Sequence, residues 1–61
     1  MRDEEAKARI MAVLKGEMPI KGIAAKAGLS VATASKYCHI LEAERRISMH
    51  QFGNMKLVRR R

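Results

Sequence analysis

The chain has 61 residues, which is enough for one domain but too few for a binding domain beside a substrate domain, so most enzyme architectures are excluded. Its apolar fraction of 48% is high enough for a folded core, and we therefore expect no wholesale disorder. Thirteen Lys and Arg against six Asp and Glu give a net charge of +7, which indicates an anionic partner, with nucleic acid first and a membrane surface second.

Cysteine usage and hydropathy indicate a protein of the reducing cytosol. The single cysteine cannot form an internal disulfide, and the Cys and His residues lack the spacing of zinc ligands. The longest apolar runs are a few residues, far short of the roughly 20 that a transmembrane helix needs. Residues 1–5 are mostly charged and do not form a signal peptide. We expect a soluble, cytoplasmic protein that uses no metal and no cofactor and does not contact a membrane.

The first helix is predicted over residues 3–15. One apolar stripe at helical spacing runs along it, formed by Ala6, Ile10, Val13 and Leu14. Acids fill its first turn, where the helix dipole favours them, and Asp3 with Lys7 is expected to form an exposed i,i+4 ion pair. Gly16 and Pro19 mark its end.

Two further helices are predicted, over residues 20–27 and 31–44. The apolar face of the shorter one repeats at i, i+3, i+4 and i+7, through Ile20, Ile23, Ala24 and Ala27. Gly28 ends that helix, and Ser30 is placed to cap the next one by accepting a hydrogen bond from a backbone amide. The inward face of the third helix is expected to consist of Ala34, Cys38 and Leu41, which makes the cysteine a core residue.

The hydrophobic period then changes, and residues 47–58 are predicted to form a β-hairpin. Gly53-Asn54 is a dipeptide typical of two-residue hairpin turns. Counting outward from the turn predicts four cross-strand pairs: Phe52 with Met55, Gln51 with Lys56, His50 with Leu57 and Met49 with Val58. Phe52 is open to three interpretations, namely a wedge at the tip of the hairpin, a lid folded back on the core, or a contact with a second subunit. Residues 59–61 form a basic tail.

Four short segments carry a resemblance to a known family: Ile23-Ala24, Ala27-Gly28-Leu29-Ser30, Thr33-Ala34-Ser35-Lys36 and Leu41-Glu42. They resemble a helix-turn-helix, and with the hairpin that follows, roughly residues 17–59 resemble a winged helix-turn-helix DNA-binding domain. The similar proteins are small bacterial and archaeal repressors of the arsenical-resistance and multiple-antibiotic-resistance types. The expected fold class is mainly α with a small β-hairpin, a single three-helix winged helix-turn-helix domain spanning residues 1–61.

The resemblance also implies an interface. In that family the third helix enters the major groove, where base edges carry a distinct code of donors and acceptors. The implied groove-facing residues of this recognition helix are Ser30, Ala32, Thr33, Ser35, Lys36 and His39. The hairpin of residues 47–58 corresponds to the element that is called the wing in this family. The residues implied to contact phosphates in and beside the wing are Lys56, Arg59, Arg60 and Arg61. Because the third helix lacks Arg, Asn and Gln, we expect modest sequence selectivity.

The sequence departs from the family's pattern at three positions. Pro19 stands where a polar cap often begins the second helix. Arg45 stands where a glycine often ends the recognition helix, and Arg46 stands where an apolar residue often follows. The junction between the helix and the wing is therefore placed only to within a few residues.

Several functions remain open on the sequence. No catalytic constellation is visible, so we expect no enzyme. The leading expectation is a small transcription regulator that binds double-stranded DNA, with a nucleoid-type architectural protein, a protein-interaction module and an RNA binder as alternatives. Ala8 and Met11 lie off the main stripe of the first helix, which suggests a second apolar strip and a homodimer. The sequence identifies no small-molecule effector.

Overall fold

The computed structural model describes residues 2–61, which form three helices followed by a small antiparallel sheet. The elements in chain order are α1 (Asp3–Val13), β1 (Met18–Pro19), α2 (Ile20–Ala27), α3 (Val31–Ala43), β2 (Ile47–Phe52) and β3 (Met55–Arg60). The strands lie in the order β1-β3-β2, with both pairs antiparallel. The fold class predicted from the sequence is confirmed, and the layout is consistent with a winged helix.

The first strand has no counterpart in the sequence analysis. Met18 pairs with Val58 and Pro19 pairs with Leu57, so the predicted hairpin is part of a three-stranded sheet. A two-residue strand contains no hydrophobic period, which is why the pattern did not indicate it. Proline is tolerated here because β1 is an edge strand.

Three boundaries differ from the prediction. Helix α1 ends at Val13 rather than at residue 15, because Leu14 adopts an extended backbone and places its side chain in the core. Helix α3 ends at Ala43, one residue early. Strand β3 continues to Arg60 because its ladder with β2 extends to the pairs Ser48–Arg59 and Ile47–Arg60. Two of the three residues predicted as a basic tail therefore belong to the sheet.

The core lies between the apolar faces of the helices and the inner face of the sheet. Its members are Ala6, Ile10, Leu14, Ile20, Ile23, Ala24, Ala34, Tyr37, Cys38, Leu41, Ile47 and Val58. Tyr37 was not expected on the inward face of α3. Its hydroxyl donates to Asp3 Oδ1 at 2.7 Å, which satisfies the polar end of a buried aromatic side chain.

In place of the expected Asp3–Lys7 ion pair, each of the two residues has other partners. Lys7 is buried, and its ammonium lies 2.8 Å from Glu44 Oε2 and 3.2 Å from Glu4 Oε1. Asp3 is engaged by Tyr37 of α3 instead. The Lys7–Glu44 and Asp3–Tyr37 contacts join α1 to α3 and its C-cap, and local helical spacing gives no sign of them.

The end of α3 is closed by a pair of backbone hydrogen bonds. The Arg45 amide donates to the Glu42 carbonyl at 2.9 Å, and the Arg46 amide donates to the Leu41 carbonyl at 3.0 Å. This is the Schellman pattern of a helix C-terminus, in which the residue after the cap adopts a left-handed conformation. Arg45 has φ 62°, so an arginine occupies the position where the family often has glycine.

Within residues 2–61, every helix is too short or too polar to cross a lipid bilayer.

Candidate nucleic-acid interface

The turn between α2 and α3 fixes the direction of the candidate recognition helix. Gly28 ends α2 with φ 71°, a conformation that costs glycine little, and the Leu29 amide donates to the Ala24 carbonyl at 2.9 Å. Leu29 then packs partly buried against the core. Ser30 begins α3 as its N-cap. With Ala34, Tyr37, Cys38 and Leu41 facing inward, the opposite side of α3 is left to solvent.

The predicted groove-facing residues divide into two groups. Ala32, Lys36 and His39 are exposed, and Ser35 is half-buried at the edge of the same face. Ser30 and Thr33 serve the helix start instead. Ser30 Oγ accepts from the Thr33 amide at 3.1 Å and donates to Thr33 Oγ1 at 2.9 Å. The first group forms an outward surface of small side chains with one cation and one imidazole.

Lys36 is held close to the body of the helix. Its ammonium lies 5.3 Å from the centroid of the Tyr37 ring, within the range of a cation–π interaction. The ring is in turn anchored to α1 through Asp3. This contact places the charge of Lys36 at the flank of the outward face.

The wing has the register predicted from its turn. All four predicted cross-strand pairs are present. Gly53 adopts φ 61°, and the Gln51 side-chain amide donates to its carbonyl at 3.0 Å, which braces the turn. Phe52 is 71% exposed, so the interpretation of this side chain as a lid folded back on the core is wrong. Lys56 is exposed opposite Gln51.

The three terminal arginines have different surroundings. Arg59 is exposed and lies opposite Ser48 in the ladder. The Arg60 guanidinium donates to the Met11 carbonyl, one of the last four carbonyls of α1, which helical hydrogen bonds cannot satisfy. The Arg61 amide donates to the Arg46 carbonyl at 3.3 Å. Arg60 is thus engaged within the fold, while Arg59 has an exposed side chain on the sheet.

A cationic position missed by the sequence reasoning lies beside the wing. Lys21, in the first turn of α2, is exposed and lines a cleft of about 320 Å³ together with Lys56. The other lining residues are Pro19, Ile20, Asn54 and Met55. The pairing of β1 with β3 brings the start of α2 next to the wing, and this long-range contact has no signal in the sequence.

Charge is separated between the two parts of the chain. Residues 1–17 carry four bases and four acids, whereas residues 18–61 carry nine bases and two acids. The whole net charge of +7 therefore lies on residues 18–61. Among residues 2–61, no ion pair involves the following side chains: Lys21, Lys26, Lys36, Lys56 and Arg59.

The acids are engaged in contacts within the fold. Besides the contacts of Asp3, Glu4 and Glu44, Glu5 lies 3.6 Å from Arg9. Glu17 Oε2 lies 3.0 Å from His50 Nε2, and Glu42 Oε2 accepts from the Met49 amide at 3.2 Å. All six carboxylates thus have an intramolecular partner. Among residues 2–61, the five cations named above form no ion pair with any of these acids.

Protonation states are consistent with a structural role for these internal groups. The hydrogen bond between Lys7 and Glu44 raises the pKa of the lysine and lowers the pKa of the carboxyl. Burial raises the pKa of Cys38 to about 11, so it is a neutral thiol at pH 7 and a poor nucleophile. Within residues 2–61, no three His, Cys, Asp or Glu side chains are grouped closely enough to hold a metal ion.

Solved structures of other proteins contain a domain similar to this chain. No protein-family model and no curated protein matches the sequence. The chain is similar to a hypothetical protein from Pyrobaculum spherical virus, with 26% identity and a TM-score of 0.79. The match covers 95% of this chain and 38% of the viral one, so the chain spans less than two fifths of that protein's length.

The second similar structure is human N-acetylserotonin methyltransferase in complex with SAM. The identity is 15% and the TM-score is 0.74, and the match covers 97% of this chain but only 17% of the methyltransferase. The expectation of no enzyme, which rested on the small size of the chain and on missing motifs, is corrected by this finding. A domain of this size and fold occurs within an enzyme chain, so neither argument excludes catalysis. At this identity the likeness concerns the fold alone and assigns no activity.

Proposed function

We propose that this protein binds double-stranded DNA through α3, the start of α2 and the wing. The observation that carries the proposal is the separation of charge, because the net +7 lies entirely on residues 18–61. Cations without acidic neighbours attract a polyanion and release its condensed counterions on binding. The winged-helix layout supports the same function, since its third helix is a convex rod that fits the major groove.

Each group of residues has a distinct role in this proposal. The outward face of α3 approaches the base edges, where Ala32 contacts thymine methyl groups and Lys36 reaches a guanine or a phosphate. His39 and Ser35 lie on the same face. Lys21 and Lys56 contact phosphates from the two sides of their shared cleft, and these contacts position the protein without reading sequence.

The resulting selectivity is modest, because the outward face of α3 has no Arg, Asn or Gln to form bidentate contacts with bases. Two biological roles fit such an interface. One is a small transcription regulator, similar to the repressors that its helix-turn-helix segment resembles. The other is an architectural protein of the nucleoid. With either role we propose a cytoplasmic, nucleoid-associated location.

Dimerisation is a separate part of the proposal, in which two copies contact half-sites about one helical turn apart. The apolar strip expected on α1 does not support it, because Met11 packs against the core of its own chain. Sedimentation velocity with and without DNA measures the stoichiometry. One copy per site would contradict the dimer and leave DNA binding unaffected.

The test is fluorescence anisotropy of labelled duplexes at several salt concentrations. One duplex has random sequence, and the other is the region upstream of the protein's own gene. Equal, salt-sensitive binding to both supports an architectural role, and preference for the upstream duplex supports a regulator. No binding to either duplex near physiological salt contradicts the proposal and favours a module that binds an acidic protein.

Two matched variants locate the interface. Lys56→Ala removes one phosphate contact, so the slope of log K against log salt is expected to become shallower by about 0.9. Arg9→Ala removes an equal charge from the part of the chain with no net charge, where Arg9 already pairs with Glu5. The slope of this control is expected to stay unchanged. Equal effects of the two substitutions would mean that binding depends on net charge and not on this surface.

A further inference from the structure

The tip of the wing presents an unusual apolar pair. Phe52 and Met55 face each other as the last cross-strand pair before the turn, and they are 71% and 48% exposed. Among residues 2–61, the only other large apolar side chain with comparable exposure is Val31. Phe52 directly precedes the two-residue turn, and its exposed ring does not gain the free energy of burial, which is about 25 cal/mol per Å².

The surroundings of this pair are cationic. Lys56 is the next residue after Met55, and Lys21 lines the same cleft as both of them. The wing has no acid of its own, and Glu17, which contacts the wing at His50, is paired with that imidazole at 3.0 Å. A partner for the wing tip must therefore offer negative charge around an apolar contact.

A second copy of this chain does not fit that requirement. A symmetric contact through Phe52 would bring Lys21 and Lys56 close to the same cations of the other copy. Phe52 and Met55 together expose on the order of 200 Å², about a quarter of the roughly 800 Å² per partner that a stable interface buries.

We propose that Phe52, supported by Met55, is an apolar wedge that inserts into a base-pair step from the minor groove and bends the DNA. The inference rests on the proposed function and deepens it, because it assigns the wing a contact with stacked bases in addition to phosphates. Apolar side chains that enter a step from the minor groove unstack it partially and kink the duplex by about 20–90° toward the major groove. The phosphates on either side of the groove meet Lys21 and Lys56.

The structure of the wing suits this insertion. The Gln51–Gly53 hydrogen bond spans Phe52, which lies at the end of the two-stranded wing next to the turn. The side chain needs no rearrangement to reach the bases, because it is already exposed. Unstacking costs least at flexible pyrimidine–purine steps, so the wedge favours TA and CA steps over stiff A-tracts.

The test measures bending and affinity separately. A duplex of about 25 base pairs carries a donor and an acceptor dye at its ends, and 2-aminopurine replaces one adenine at a central TA step. Full-length protein is titrated as wild type and as the variants Phe52→Ala, Phe52→Leu and Lys56→Ala. Circular dichroism and sedimentation of each free protein establish folding and oligomeric state.

For Phe52→Ala we expect most of the rise in energy transfer and in 2-aminopurine fluorescence to be lost. Its affinity is expected to fall about fivefold to tenfold, the size of one lost aromatic–base contact, with an unchanged salt slope. Phe52→Leu retains most of the bend, since an apolar side chain suffices. Lys56→Ala shows the opposite behaviour, with a reduced salt slope and a retained bend.

Several outcomes would overturn the wedge while leaving the proposed function intact. Wild-type protein would bind without bending the duplex, or Phe52→Ala would bend it as strongly as the wild type. A free wild type that is dimeric and becomes monomeric as Phe52→Ala would assign the ring to a second copy. A wild type that binds no duplex at all refutes the proposed function itself, and the wedge with it.

Discussion

Replacement of Arg45 by glycine is expected to stabilise this fold. Arg45 has φ 62°, and it is the one residue other than glycine with a positive φ among residues 2–61. The Schellman hydrogen bonds of Arg45 and Arg46 require this conformation at the end of α3. This conformation raises the free energy of an L-residue, because its Cβ comes close to the following carbonyl oxygen, whereas glycine has no Cβ.

The expected gain follows from two opposing terms. Relief of the left-handed conformation is worth about 1–2 kcal/mol. The greater freedom of glycine in the unfolded chain removes roughly 0.5–1 kcal/mol of this. The net increase in the free energy of unfolding is about 0.5–1 kcal/mol, which corresponds to a rise in Tm of about 2–8 °C for a domain of this size.

Thermal unfolding followed by circular dichroism measures this increase, and two controls isolate its cause. Arg45→Ala removes the same charge but keeps a Cβ, so little gain is expected. Arg46→Gly removes a neighbouring charge where φ is not positive, and a loss of about 0.5–1 kcal/mol is expected. Equal Tm values for Arg45→Gly and Arg45→Ala would contradict this prediction, because they would show that charge and not backbone conformation limits stability here.

Two further predictions concern the start of α3 and the ion pair of α1. Ser30→Ala is expected to lower the free energy of unfolding by about 1 kcal/mol, because the Thr33 amide loses its acceptor, whereas Ser30→Asp keeps the cap. A urea midpoint of the alanine variant equal to that of the wild type would show that the cap does not stabilise the fold. Contact with Lys7 lowers the pKa of Glu44, so its contribution to stability is present above the ordinary pKa of 4.5 and is lost as pH falls through the lowered value. The pKa of Lys7 is raised, so the same contribution is lost again as pH rises above 10.5 and through the raised value. The Tm difference between wild type and Glu44→Gln is therefore expected to be largest between these limits, and a difference that is constant with pH would contradict this assignment.

Local patterns in the sequence were sufficient to predict α2, the cap of α3 and the hairpin turn. The i, i+3, i+4, i+7 repeat of α2, the Ser30 cap and the Gly53-Asn54 turn each depend on residues within one or two turns of chain. The turn alone fixed the register of the wing, because two-residue loops allow one set of cross-strand pairs. The exposure of Ala32, Lys36 and His39 followed from the same helical spacing.

The errors came from contacts between residues far apart in the chain. Lys7 was expected in solvent, but Glu44, 37 residues away, meets it in a part-buried contact. Arg60 was assigned to a basic tail that contacts phosphates, but the carbonyl that it binds lies 49 residues earlier. In both cases the side chain's chemistry permits either environment, and only the packing of the elements decides which one it enters.

The helices, the hairpin with its register, and the excess of cations over acids on residues 18–61 could all be predicted from the sequence. These properties depend on the spacing of neighbouring residues and on counting charges. Three other features became visible only in the folded chain: the pairing of β1 with β3, the cleft shared by Lys21 and Lys56, and the left-handed conformation of Arg45. The physical reason is that these features arise where separate elements meet, and the free energy of such contacts depends on relative positions that no local pattern encodes.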